Sequence, residues 1–189
     1  MHTQVIVLNG ASSSGKSSIA RCLQSILSDP WLTLGVDTLI QAMPLSMHGL
    51  DLGLRFEPDG QVIVGNMFRQ LEAAWYQGLA SVAHAGAGVI VDEVFLDGTA
   101  SQDRLRVALD GLQVFWVGVR CDRAIAAARE AIRDDRTDRK GDAHPGMAKA
   151  QADAVHRGVR YDLEVDTTTA AAMDCARAVA RHVGGPGTN

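Results

Sequence analysis

The stretch VIVLNGASSSGKSSIARCL, residues 5–23, changes character twice within nineteen residues. Four apolar residues, Val5, Ile6, Val7 and Leu8, read as a buried strand. A run of small residues follows, and from Lys16 an amphipathic pattern reads as a helix. Gly10, Gly15, Lys16 and Ser17 satisfy G-x-x-x-x-G-K-S in the strand-then-helix setting the pattern requires. Glycines let the backbone turn where a Cβ would forbid it, so that successive N–H groups converge on phosphate oxygens. The helix start adds its positive end to the same anion. Gly10, Ala11, Ser12, Ser13, Ser14, Gly15, Lys16, Ser17 and Ser18 are therefore the candidate nucleotide-binding residues. Lys16 is expected at the β- and γ-phosphates and Ser17 on Mg²⁺.

Working outward, short apolar runs alternate with helical patterns to the end of the chain. Strand-like QVIVLN, WLTLGVD, GVIVDEV, LQVFWVGVRC and YDLEVD are separated by predicted helices, among them 38–42, 66–85, 101–109, 122–133 and 147–156. Strands rich in Val, Ile and Leu on both faces predict a doubly wound α/β fold, a parallel sheet with helices on both faces. One domain is expected over 1–183, with a tail at 184–189. Two segments interrupt the rhythm. LRFEPDGQVIVG carries Asp59-Gly60 between two extended pieces, which predicts a hairpin insertion at about 50–65. RDDRTDRKGDAHPG, almost without apolar residues, predicts a surface lid at about 133–146.

The balance of charge narrows the partners. The net charge is -4 with a pI near 5.8 and 47% hydrophobic residues, an ordinary globular composition that argues against nucleic acid or an anionic membrane as partner. Cys22, Cys121 and Cys175 are odd in number and in no metal spacing, which suits thiols in a reducing compartment. The first residues lack the features of a signal peptide and no apolar run reaches ~18 residues, so a cytoplasmic location is expected. The edge of the predicted hairpin is open to pairing in a homo-oligomer.

Phosphoryl transfer needs an acceptor in line and a group that takes its proton. Asp37 closes WLTLGV and is expected at the carboxyl edge of a strand, where open α/β sheets bind ligands. Two readings stand side by side for it: catalytic base, or N-cap of the next helix. Asp92 and Glu93 end GVIV in the same way, and Asp92 is favoured for the metal. Arg129, Arg133 and Arg136, spaced four and three apart, would share a helix face leading into the lid, and Arg133 and Arg136 are the candidates to clamp the transferring group. One at least of the three is expected to be a solvated partner of Glu130, Asp134 or Asp135. His84, His144 and His156 read as surface or helix-end residues, and Trp31, Trp75 and Trp116 as core. Met43, Met47 and Met67 read as packing, with an adaptable wall for an aromatic ligand as the alternative.

Taken together, LNGASSSGKSSIARCLQSIL, PWLTLGVDTLIQAMP, VIVDEVFL, WVGVRCD and VRYDLEVDTT resemble the chloramphenicol phosphotransferase family over nearly the whole chain. The resemblance implies a five-stranded sheet like that of adenylate and shikimate kinases, ATP as donor with GTP left open, and Mg²⁺. It implies transfer to the 3-hydroxyl of chloramphenicol, with Asp37 deprotonating that hydroxyl and Arg133 and Arg136 on the lid. The segment TDRKGDAHPG is longer than the family's loop, which leaves Arg139 without an assigned role. Similar patterns belong to enzymes that phosphorylate capuramycin-type nucleosides on a sugar hydroxyl, and the acceptor pocket is expected mainly within 38–69. A metabolite kinase and a nucleotide-binding regulator are the further alternatives.

Overall fold

The computed structural model describes residues 2–48, 52–132 and 146–183. Five parallel strands form the central sheet: β1 (Val5–Asn9), β2 (Trp31–Gly35), β5 (Gly88–Glu93), β6 (Val114–Arg120) and β7 (Leu163–Asp166), in the order β2-β5-β1-β6-β7. The chain leaves β1 through α1 (Lys16–Ile26) toward one edge and later fills the other through β6 and β7. This reversal opens a crevice at the carboxyl end of β1, where such sheets bind ligands.

Alternation along β1 decides what each face carries. Ile6 and Leu8 pack with Ile19, Ala20 and Leu23 of α1 and with Cys175, Ala176, Val179 and Val183 of α7 (Ala172–Val183). Val5 and Val7 face Tyr76, Leu79, Ala80 and Ala83 of α3 (Asn66–His84), with Leu105 of α4 (Thr99–Ala108) beside them. Each fully buried Val, Leu or Ile side chain is worth about 1.5–3 kcal/mol, so both layers contribute to holding β1 in place. A third cluster, Leu39, Met43, Met47, Leu54 and Phe68, joins α2 (Val36–Ala42) and α3 to an antiparallel hairpin of β3 (Leu54–Phe56) and β4 (Val62–Val64).

Several boundaries differ from the sequence reading. Strand β2 ends at Gly35, and Val36 and Asp37 already belong to α2, so Asp37 occupies a first helical turn rather than a strand tip. Gly35, the last residue paired with β5, lies so close to it that a Cβ there would stand 2.1 Å from the Asp92 carbonyl oxygen. The helix expected over 147–156 breaks into α6 (Met147–Gln151) and a 3₁₀ turn (Ala154–His156). Helix α5 (Arg123–Ala131) ends two residues early, with Asp122 as its N-cap accepting from the Ala124 and Ile125 amides at 2.8 and 3.1 Å. Among the described residues no helix is long and apolar enough to cross a membrane.

Candidate active site

The loop after β1 takes the conformations its glycines permit. Gly15 has φ +91, and a Cβ at Gly10 would meet the Val119 carbonyl oxygen at 2.6 Å. Ser13 accepts φ +57. Lys16 is buried and donates to the Ala11 carbonyl at 2.9 Å, which folds it over the loop, and its Nζ stands 3.8 Å from Asp92 Oδ1. Ser17 Oγ donates to Asp92 Oδ2 at 2.7 Å. Among the described residues the buried Ser13 and Ser14 hydroxyls have no partner, which is costly unless a ligand supplies one.

Beneath the loop lies a set of buried hydrogen bonds. Asn9 donates to the Val155 carbonyl at 2.8 Å and to Tyr161 Oη at 2.6 Å, and its Oδ1 accepts from the Phe95 amide at 2.9 Å. The Tyr161 hydroxyl and His156 Nδ1 share a further hydrogen bond of 2.6 Å. Burial, with Arg120 adding, pulls the His156 pKa down to about 4, and burial pushes Tyr161 up to about 12. His156 thus closes the 3₁₀ turn Ala154–His156, a helix-end residue as expected, but it is buried and partnered rather than on the surface. Thr167 Oγ1 donates to the Ser14 carbonyl at 2.7 Å, and Arg129 donates to the Thr167 carbonyl at 2.7 Å.

From the loop a cavity of about 700 Å³ extends between α2, the hairpin and α3. Apolar side chains, among them Val36, Ile40, Phe56, Val62, Val64 and Phe68, line its far half. Its polar groups there include three carboxyls, Asp37, Glu72 and Glu93, beside Gln41, His48, Arg69 and Ser101. Arg69 binds both oxygens of Glu72 at 2.8 and 2.9 Å and also pairs with Asp97. Arg104 holds Glu72 Oε2 at 3.0 Å and Asp97 Oδ2 at 2.9 Å. The two guanidiniums are therefore occupied by carboxylates. Glu93 is 2% exposed with Oε1 unpartnered; burial first, then the charges of Glu72 and Asp92, hold its carboxyl well above the usual range. Burial and Glu93 likewise push the Tyr76 phenol up.

The residues singled out from sequence fall as follows. Lys16, Ser17, Asp37 and Asp92 line one cavity with Ser12, Ser13, Gly15 and Ser18. Asp37 is not an N-cap, since Gly35 takes that position. Arg133, Arg136, Arg139 and His144 lie outside the described residues. Arg129 is a ligand of Thr167 and not a solvated partner of Glu130. Trp31 is buried; Met43 and Met47 are core, and Met67 is exposed. The expected acceptor segment 38–69 supplies much of the wall, but Glu72, Glu93, Leu96 and Ser101 extend it. Glu72 carried a readable signal: Phe68, Glu72, Tyr76 and Leu79 form one buried stripe of α3, and an acid on such a stripe needs partners.

Comparison with known proteins extends this geometry. Residues 3–184 match the model of the family described as chloramphenicol phosphotransferase-like protein. A Mycobacterium tuberculosis (strain H37Rv) protein named "Putative O-phosphotransferase Rv2636" is 31% identical over 188 residues, 92% of this chain and 79% of that one. In the fold, the chain is similar to the M. tuberculosis APS kinase CysC in complex with AMPPNP and APS (TM-score 0.61, 18% identity, 95% and 96% of the two chains covered). It is similar also to a Deinococcus radiodurans tunicamycin resistance protein (TM-score 0.63, 19% identity, 96% of each). The protein is a nucleotide-using O-phosphotransferase acting on a small molecule, and it belongs to the chloramphenicol phosphotransferase-like family.

Proposed function

We propose that this enzyme moves the γ-phosphoryl group of ATP to a hydroxyl of an uncharged, partly apolar antibiotic, with the 3-hydroxyl of chloramphenicol as the leading acceptor. The observation that carries the acceptor class is the far half of the cavity. Much of its wall is apolar, it holds the carboxyls of Asp37, Glu72 and Glu93 beside Gln41, His48 and Ser101, and its Arg69 is occupied by Glu72 and Asp97. A carboxylated or sulfated metabolite would meet the Asp37 and Glu72 carboxylates there with the Arg69 guanidinium already occupied, which costs rather than gains energy.

In this reading the loop N–H groups and Lys16 hold the β- and γ-phosphates, and the unpartnered Ser13 and Ser14 hydroxyls are free to add donors. The Ser17 hydroxyl and the Asp92 carboxylate lie within hydrogen-bonding distance of each other, an all-oxygen pair that fits Mg²⁺ shared with phosphate oxygens and water. Bound there, the ion would neutralise charge on the β- and γ-phosphates. Asp37 takes the proton as the acceptor oxygen forms its bond to phosphorus, and the bond to the β-phosphate bridging oxygen breaks to leave ADP. Its position in the first turn of α2 leaves the carboxylate on the cavity side, across from Asp92. Arg133 and Arg136 retain, from the family resemblance, the clamp on the transferring group.

The experiment is an acceptor panel with Mg-ATP: chloramphenicol, a capuramycin-type nucleoside, shikimate, gluconate and buffer, read by mass spectrometry for the gain of one phosphoryl group. Phosphorylated chloramphenicol is the expected product. Modification of the nucleoside alone would keep the chemistry and change the acceptor. Transfer to shikimate or gluconate would overturn the uncharged-acceptor reading, and nucleotide binding without any transfer would favour a regulator.

A further inference from the structure

One carboxylate outside the reacting groups joins the two halves of the cavity. Glu130, near the end of α5, accepts from Ser12 Oγ at 3.1 Å and from the Ala148 amide at 3.0 Å through Oε1, and from the Gly146 amide at 2.9 Å through Oε2. Gln151 of α6 adds a second tie, its Oε1 accepting from the Ser12 amide at 2.9 Å. The phosphate loop is therefore held at Ser12 by both its hydroxyl and its backbone. Gly146 in turn carries the hairpin turn: a Cβ on Gly60 would lie 2.2 Å from the Gly146 carbonyl carbon and 2.6 Å from the Met147 nitrogen. Both glycines have positive φ, +84 and +90, so the two turns meet backbone against backbone. Met147 and Gln151 themselves line the cavity.

We infer that Glu130 is a positioning residue: it locks the phosphate loop to the hairpin wall through Gly146, so that order at one end of the cavity is felt as affinity at the other. The inference rests on reading the cavity as one site with a nucleotide end and an acceptor end. Three donors converge on the carboxylate, and an amide in its place would set an NH₂ against at least one of them. Coupling of this kind is reciprocal, so a change at the hairpin must appear in nucleotide binding.

The test uses nucleotide alone. The full chain with Mg²⁺ is titrated with N-methylanthraniloyl-ADP as wild type, as Gly60→Ala, as Glu130→Gln and as the double variant. Gly60→Asn is run beside Gly60→Ala, because asparagine tolerates positive φ while its Cβ still meets Gly146. Thermal melting confirms that each variant is folded. Coupling predicts that Gly60→Ala and Gly60→Asn, far from the phosphate loop in sequence, weaken the nucleotide about 3- to 10-fold, and that the double variant is no weaker than the worse single. Unchanged nucleotide affinity in both Gly60 variants, or strictly multiplicative losses in the double variant, would overturn it. An acceptor other than the one proposed would alter the mass-spectrometric panel and leave this titration as it stands.

Discussion

The two ends of the cavity are built in opposite ways. The phosphate end comes from one unbroken stretch between β1 and α1, and its chemistry is mostly backbone: N–H directions set by Gly10, Ser13 and Gly15 and braced by the Asn9 and Thr167 hydrogen bonds. The acceptor end is gathered from α2, the hairpin, α3 and the residues after β5, and its chemistry is all side chain. A backbone device admits few sequences, because each glycine answers a particular clash. A side-chain device admits many, because Glu72 is held in place by charges that could be supplied from other positions. The first kind therefore defines the reaction and the second the substrate.

The widest separation of the two ends is expected from Asp37→Asn. It should lower kcat by about 10²- to 10⁴-fold, the usual value of a positioned base, with nucleotide Kd unchanged. A parallel loss of nucleotide affinity in a direct titration would break the division. The next effect belongs to the support of the phosphate end. With a pKa of about 4 against an ordinary 6.5, His156 is protonated first in the unfolded chain. Its contribution is present in full above pH 6.5 and is lost as pH falls toward 4, up to about 3 kcal/mol. Lys16 and Arg120 oppose the proton and Glu164 and Asp153 favour it. Urea unfolding across this range should show the slope in the wild type and not in His156→Phe.

Gly35→Ala probes the seam between the ends. Its Cβ would meet the Asp92 carbonyl at 2.1 Å, so β2 must part from β5 beside both Asp37 and Asp92. A loss of about 1–3 kcal/mol in unfolding free energy is expected, with kcat falling further than nucleotide affinity. The smallest effect is expected from Glu72→Gln, which weakens the charge-assisted bonds to Arg69 and Arg104. Acceptor KM should rise by about 5-fold, roughly 1 kcal/mol, with nucleotide KM unchanged. Steady-state kinetics with each substrate varied in turn would show whether the acceptor end alone has moved.

The sequence was legible wherever structure is local. The parallel sheet followed from contiguous apolar strands, the phosphate loop from four residues at fixed spacing, and the hairpin turn from Asp59-Gly60. Asp37 was placed in the correct segment but on the wrong element, because the last rung of β2 pairs Gly35 with Asp92, 57 positions away. Glu130 could not be separated from the charged run that follows it, since its partners Ser12, Gly146 and Ala148 meet it only in the fold. Arg69, Asp97 and Arg104 were unreadable for the same reason: each is an ordinary surface charge until α3 and α4 lie side by side.

The hairpin carries a consequence for how such a protein changes over generations. It pairs only three residues with three, apart from the five-stranded sheet. Substitutions at Phe56, Val62 or Val64 reshape the cavity wall without touching a hydrogen bond of the main sheet, so the fit to a small molecule can drift at little expense to folding. The bound is set by Gly60, where a Cβ would meet the Gly146 backbone, and by the positive φ of both Gly60 and Gly146. Changes of acceptor would then be expected to arise along the strands of the hairpin and to spare its turn.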